Sequence, residues 1–125
     1  MENYTQMSSL ALAFIGDSVH TLYVREHIVK NDVLKVNDYH KLSAHYCKAE
    51  TQSKVLDLIL PNLSEQEKDI VRKARNTKIH HNAKNASVKD YKQATSFEAL
   101  IGYLYFTKRN ERLEEILSLS MGENV

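Results

Sequence analysis

The chain has 125 residues, only 3 Gly and 1 Pro, and 17 basic against 16 acidic side chains, for a formal net charge of +1. That length suits one domain with a real core and is short for two, so residues 1–125 are read as a single domain. So little Gly and Pro excludes a turn-dense sandwich or barrel and leaves long helices, while the even charge balance argues against a uniformly basic nucleic-acid binder.

The single cysteine, Cys47, can form neither an intrachain disulfide nor a thiol pair for zinc. The apolar run from Leu10 to Ile15 is too short for a signal segment or a membrane span and lacks a basic flank. A cytoplasmic protein without membrane association is the expectation.

Taken in chain order, residues up to 30 carry apolar side chains at helical spacing, with Ser8 or Ser9 placed to cap the first helix. Leu10, Phe14, Thr21, Val24 and Ile28 fall on one stripe, and Leu12, Ile15, Val19, Leu22 and Val29 on a second. A helix apolar on two sides is expected to lie buried between neighbours. Asn31-Asp32 breaks the pattern. A second helical stretch runs from 37 to 60 with a bend near Ser43, and Pro61-Asn62 ends it. Ser64 followed by Glu67 fits a capping box, which starts a third helix over 65–75. The polar, Asn-rich segment 76–86 reads as a loop. A helix restarts at Ser87 and carries Tyr91, Ala94, Phe97, Leu100, Ile101, Leu104 and Tyr105. A last helix spans roughly 111–119.

Charge is not spread evenly. Between Lys68 and Lys92 eight bases face two acids, a net +6, and the remaining nine bases and fourteen acids carry −5. A basic helix and loop of this kind can neutralise several phosphates and release their counterions. Arg72, Lys73, Arg75, Asn76, Lys78, Lys84 and Asn85 are the candidate RNA contacts, the amides reaching phosphate or sugar oxygens beside the cations. A solvated helix face is the competing explanation for the same charges.

Two carboxylates stand out. Asp17 falls within the stripe of Leu10, Phe14, Thr21 and Val24, and Glu98 shares a helix face with Tyr91, Ala94, Ile101, Gly102 and Tyr105. An unpaired buried carboxylate is costly, so each must be paired, protonated or bound to a cation. Two of the three glycines, Gly16 and Gly102, lie within a turn of these acids, although Gly inside a helix costs about 1 kcal/mol. Helices crossing at those glycines bring Asp17 and Glu98 onto one hard cation, and Mg²⁺ needs only one or two protein carboxylates. Pairing with Lys or Arg, or hydrogen bonds from Tyr, would satisfy the acids equally well. His80-His81 is read as a polar contact in the basic loop rather than a metal ligand.

The stretch Leu12-Ala13-Phe14-Ile15-Gly16-Asp17-Ser18-Val19 resembles the signature helix of the ribonuclease III family, which presents that family's catalytic Asp. Phe97-Glu98-Ala99-Leu100-Ile101-Gly102-Tyr103-Leu104-Tyr105 resembles its second motif, whose Glu completes a Mg²⁺ site. Ala13 and Thr95 stand where full-length members carry further acids, and no double-stranded-RNA-binding domain follows within these residues. Both departures resemble the subgroup made of the catalytic domain alone, as do Arg75-Asn76-Thr77-Lys78 and Lys84-Asn85-Ala86.

The resemblance implies an all-α, ribonuclease III catalytic-domain-like helical bundle. It implies a homodimeric, Mg²⁺-dependent endoribonuclease that cuts double-stranded RNA to 5′-phosphate and 3′-hydroxyl ends. Asp17 and Glu98 would be its catalytic and metal-binding residues. The subgroup's substrate is precursor 23S ribosomal RNA, with a ribosomal protein on that RNA as a further partner. The missing acids keep open the alternative of a non-catalytic duplex-RNA-binding or ribosome-assembly module on the same fold.

Overall fold

A computed structural model describes residues 7–78 and 87–122. Among these the chain is all helical, with α1 (Ser9–Asn31), α2 (Val36–Cys47), α3 (Ala49–Ile59), a 3₁₀ turn at Leu60–Asn62, α4 (Glu65–Arg75), α5 (Val88–Phe106) and α6 (Asn110–Ser120).

Local chemistry sets three of the six α-helix starts. The Ser8 hydroxyl accepts from the Ala11 amide at 3.0 Å, and the Ser87 hydroxyl from the Asp90 amide at 3.1 Å. At α4 the capping box is complete: the Ser64 hydroxyl accepts from the Glu67 amide, and the Glu67 carboxylate accepts from the Ser64 amide. Each such bond satisfies a backbone donor that the helix itself leaves orphaned.

The break between α2 and α3 falls at Lys48 rather than near Ser43. Lys48 is extended, with φ −70° and ψ 155°, and closes one helix while opening the next. Thr51 spans the junction by donating to the His45 carbonyl at 2.7 Å. Ser43 stays inside α2, buried, its hydroxyl donating to the His40 carbonyl.

Helix α5 forms the centre, packed against α1, α3, α4 and α6. Phe97, Leu100, Ile101, Tyr103 and Leu104 are fully buried there, with Leu56 and Ile59 from α3, Val71 from α4 and Ile116 from α6 closing around them. Helix α1 departs from the expected double burial. Leu12, Ala13, Gly16, His20, Val24 and Ile28 are its buried side, whereas Leu10, Phe14, Leu22 and Val29 are exposed, Phe14 to 77%. The small residues Ala13 and Gly16 draw this side against α5, and each of the two expected stripes is split, with Leu10 and Phe14 of the first and Leu22 and Val29 of the second turned outward.

A reciprocal notch fixes the crossing of α1 and α5. A Cβ on Gly16 would stand 1.8 Å from the Glu98 carbonyl oxygen, and a Cβ on Gly102 would stand 2.0 Å from the Leu12 carbonyl oxygen. Both obstructions are backbone, so no side-chain rotation relieves them. Only glycine permits this approach.

Candidate active site

The crossing positions the two acids. With the Glu98 carbonyl seated against Gly16, the side chains of Asp17 and Glu98 leave neighbouring helices at the same level. Glu98 is partly buried, as its position on α5 requires. Asp17 is exposed, against the expectation of burial: Leu10 and Phe14 at the start of its stripe face outward, and burial begins only farther along, at Val24 and Ile28. The pair therefore has one carboxyl group at the surface and one set back in the helical wall.

Their closeness shows in the chemistry of Glu98. Burial, a hydrogen bond with the Asp17 carboxyl group and the Asp17 charge push its pKa up to about 8, and the Gln52 amide opposes this by donating to the carboxylate. Among the described residues no cationic side chain acts on Glu98. Set in the helical wall beside the Asp17 carboxyl group, Glu98 ionises only at a cost. A cation bound in the proton's place would remove the conflict.

A buried polar chain runs from Glu98 into the core. Gln52 Nε2 lies 3.5 Å from Glu98 Oε2, a long contact, and 3.0 Å from His20 Nδ1. His20 Nε2 lies 3.2 Å from the Ser120 hydroxyl, which donates to the Leu117 carbonyl at 2.6 Å. Burial lowers the His20 pKa to about 4, partly offset by the charge of Asp17, so the ring is neutral at pH 7. Gln52 and Ser120 had no place in the sequence reading. Their signal was present in Gln52, a polar side chain on the same helical stripe as the core residues Val55, Leu56 and Ile59.

The basic segment is only partly in view. Arg72 and Lys73 lie on the exposed face of α4 and both pair with Asp69, Lys73 at 3.2 Å. Arg75 ends the helix, Asn76 caps it through its backbone, and Lys78 is exposed beyond it. Lys84, Asn85 and the His80-His81 pair lie outside the described residues, as does most of the expected loop. Among the described residues no cluster of three or more His, Cys, Asp or Glu is placed to hold a metal. No described helix is long and apolar enough to cross a membrane.

Comparison with known proteins places the fold that carries these two acids. Residues 10–109 match the Ribonuclease III domain. The chain belongs to the ribonuclease III family, and it is an endoribonuclease.

Within that family its similarity is to proteins named Mini-ribonuclease 3. The one from Thermoanaerobacter sp. is 47% identical over 120 residues, covering 96% of this chain and 84% of the relative. The one from Enterococcus faecalis is 39% identical over 120 residues, covering 94% and 91%. A crystal structure of a Fusobacterium nucleatum protein superposes with a TM-score of 0.88 at 27% identity, over the whole of both chains.

Proposed function

We propose that this chain cleaves double-stranded RNA with Mg²⁺, that Asp17 and Glu98 hold the ion, and that the substrate is precursor 23S ribosomal RNA in the cytoplasm. The observation that carries this reading is the Asp17–Glu98 pair: two carboxyl groups placed together, one of them pushed up to about 8, with no basic side chain among the described residues acting on it. Such a donor set fits a hard divalent cation that keeps most of its waters. When bound, the cation supplies Lewis acidity at the phosphodiester and a nucleophile at neutral pH, which yields 5′-phosphate and 3′-hydroxyl ends.

The side chains divide the remaining work. Asp17, at the surface, stands where a phosphate of the duplex can approach, while Glu98 is set back beside the crossing. Arg72, Lys73, Arg75, Asn76, Lys78, Lys84 and Asn85 hold the RNA backbone, reading duplex shape more than sequence. Outward-facing Leu10, Phe14, Leu22 and Val29 support a homodimer, because a side so apolar on one helix is suited to a second copy.

Incubating the protein with a structured precursor-rRNA duplex, with and without Mg²⁺, and mapping the ends tests the reading. Asp17→Asn should abolish cleavage while leaving folding and dimerisation intact; normal cleavage by that variant removes Asp17 from the chemistry. Arg75→Ala should weaken duplex binding several-fold with little change in melting temperature, as filter binding at two salt concentrations would show.

One observation favours a second reading. Ala13 and Thr95 are buried and uncharged, leaving two carboxylates at the site. A non-catalytic duplex-RNA-binding or ribosome-assembly module would bind RNA and release no new ends.

A further inference from the structure

The hydrogen bonds behind Glu98 have a direction. Ser120 gives its proton to the Leu117 carbonyl at 2.6 Å, so toward His20 its hydroxyl oxygen acts as acceptor. His20 therefore carries its proton on Nε2 and accepts at Nδ1. The atom 3.0 Å from Nδ1 must then be the donor end of the Gln52 amide, which turns the second N–H of the same nitrogen toward Glu98 Oε2 at 3.5 Å. Reversing the amide would set its oxygen against both the Nδ1 lone pair and the carboxylate. His20, Gln52 and Ser120 are 1%, 2% and 4% exposed, so water does not compete for these bonds. The chain crosses from α6 through α1 and α3 to α5, which fixes the amide by tertiary packing rather than by any one helix.

We propose that Gln52 is a positioning residue for the carboxylate pair, and that His20 and Ser120 act behind it by fixing which end of its amide faces Glu98. This rests on the reading of Asp17 and Glu98 as metal ligands. In a site with only two carboxylates, a donor that restrains one of them takes the place that further acids would otherwise fill. Partners of this kind orient ligands, and losing one weakens metal binding by about 10- to 100-fold.

Direct Mn²⁺ binding without RNA, followed by electron paramagnetic resonance, separates this role from packing. Gln52→Met keeps a similar shape and removes both N–H groups. It should weaken Mn²⁺ binding about tenfold and raise the Mg²⁺ concentration for half-maximal cleavage by the same factor. Ser120→Ala, remote from the acids, should weaken Mn²⁺ binding about two- to threefold by releasing the His20 tautomer.

Wild-type Mn²⁺ affinity in Gln52→Met, even with a lowered melting point, overturns the proposal. Should that variant not fold, wild-type affinity in Ser120→Ala overturns it equally. Asp17→Asn keeps the two readings apart. If it binds Mn²⁺ like the wild type, the metal site itself is wrong; if it alone loses the ion, only the role of Gln52 falls.

Discussion

Glu67, where α4 meets α6, sits between a guanidinium and a helix-capping amide, whereas Glu98, where α5 meets α1, faces another carboxyl group and one side-chain amide. Arg112 grips Glu67 through Nε and Nη2, both at 2.9 Å, and the Ser64 amide donates to it at 2.9 Å. Those donors hold the Glu67 pKa below the usual carboxylate range despite burial. Glu98 is pushed the other way, to about 8. The first arrangement finishes its own electrostatics and ties helices together. The second leaves an electrostatic conflict between two acids, which is the feature on which the proposed cation site rests.

The largest expected effect breaks the Glu98 side at its base. Gly16→Ala drives a Cβ into the Glu98 carbonyl, so α1 and α5 must separate, at a cost of about 3 kcal/mol or more in denaturant unfolding. On the Glu67 side, Arg112→Met leaves a buried carboxylate without its cation and should cost about 3 kcal/mol, seen as a lower midpoint with the helical content of the folded state unchanged. Glu98→Gln should do the opposite. It removes the carboxyl conflict, raising metal-free stability by about 1 kcal/mol at pH 8 while abolishing cleavage.

The smallest effect is the most specific. Glu98 holds its proton to about pH 8 when folded but only to about 4.5 when unfolded, so its contribution is present below 4.5 and is lost as pH rises through 8. His20, lowered to about 4 from 6.5, acts oppositely, and its contribution is lost as pH falls from 6.5 through 4. Between 4.5 and 6.5 the two slopes oppose each other, and above 6.5 only that of Glu98 remains. Metal-free melting temperature should therefore decline from pH 6.5 to 8. Saturating Mg²⁺ or Glu98→Gln should flatten that decline, and a decline unchanged in Glu98→Gln would assign it to another group.

The sequence made the two sides of this comparison unequally legible. The capping box and the bounds of α4 could be read directly, because Ser64 and Glu67 satisfy backbone groups within a single turn. The glycine crossing was also foreseeable, since Gly16 and Gly102 have no helical reason to be there. The Lys48 break was placed five residues early because Ser43 looks like an interruption, yet its hydroxyl is absorbed by the preceding turn. Asp17 looked buried because periodicity shows an apolar stripe without saying what covers it. Of the Gln52 chain the sequence shows only a polar side chain on an apolar stripe: its bonds join residues 32 and 100 positions apart in sequence, and only the packed fold brings them together.

The notch at Gly16 reaches further than helix packing. The atom seated in it is the carbonyl oxygen of Glu98 itself, and the mirror-image contact at Gly102 locks Leu12 one turn before the Asp17 level. The main chain of one acid is thus bolted to the helix bearing the other. Neither helix can slide or roll to suit a larger ion or a shorter side chain, and only side-chain torsions remain to adjust the bite. Under that restriction Glu98→Asp falls one methylene short, and only the torsions of Asp17 and of the new side chain remain to close the gap.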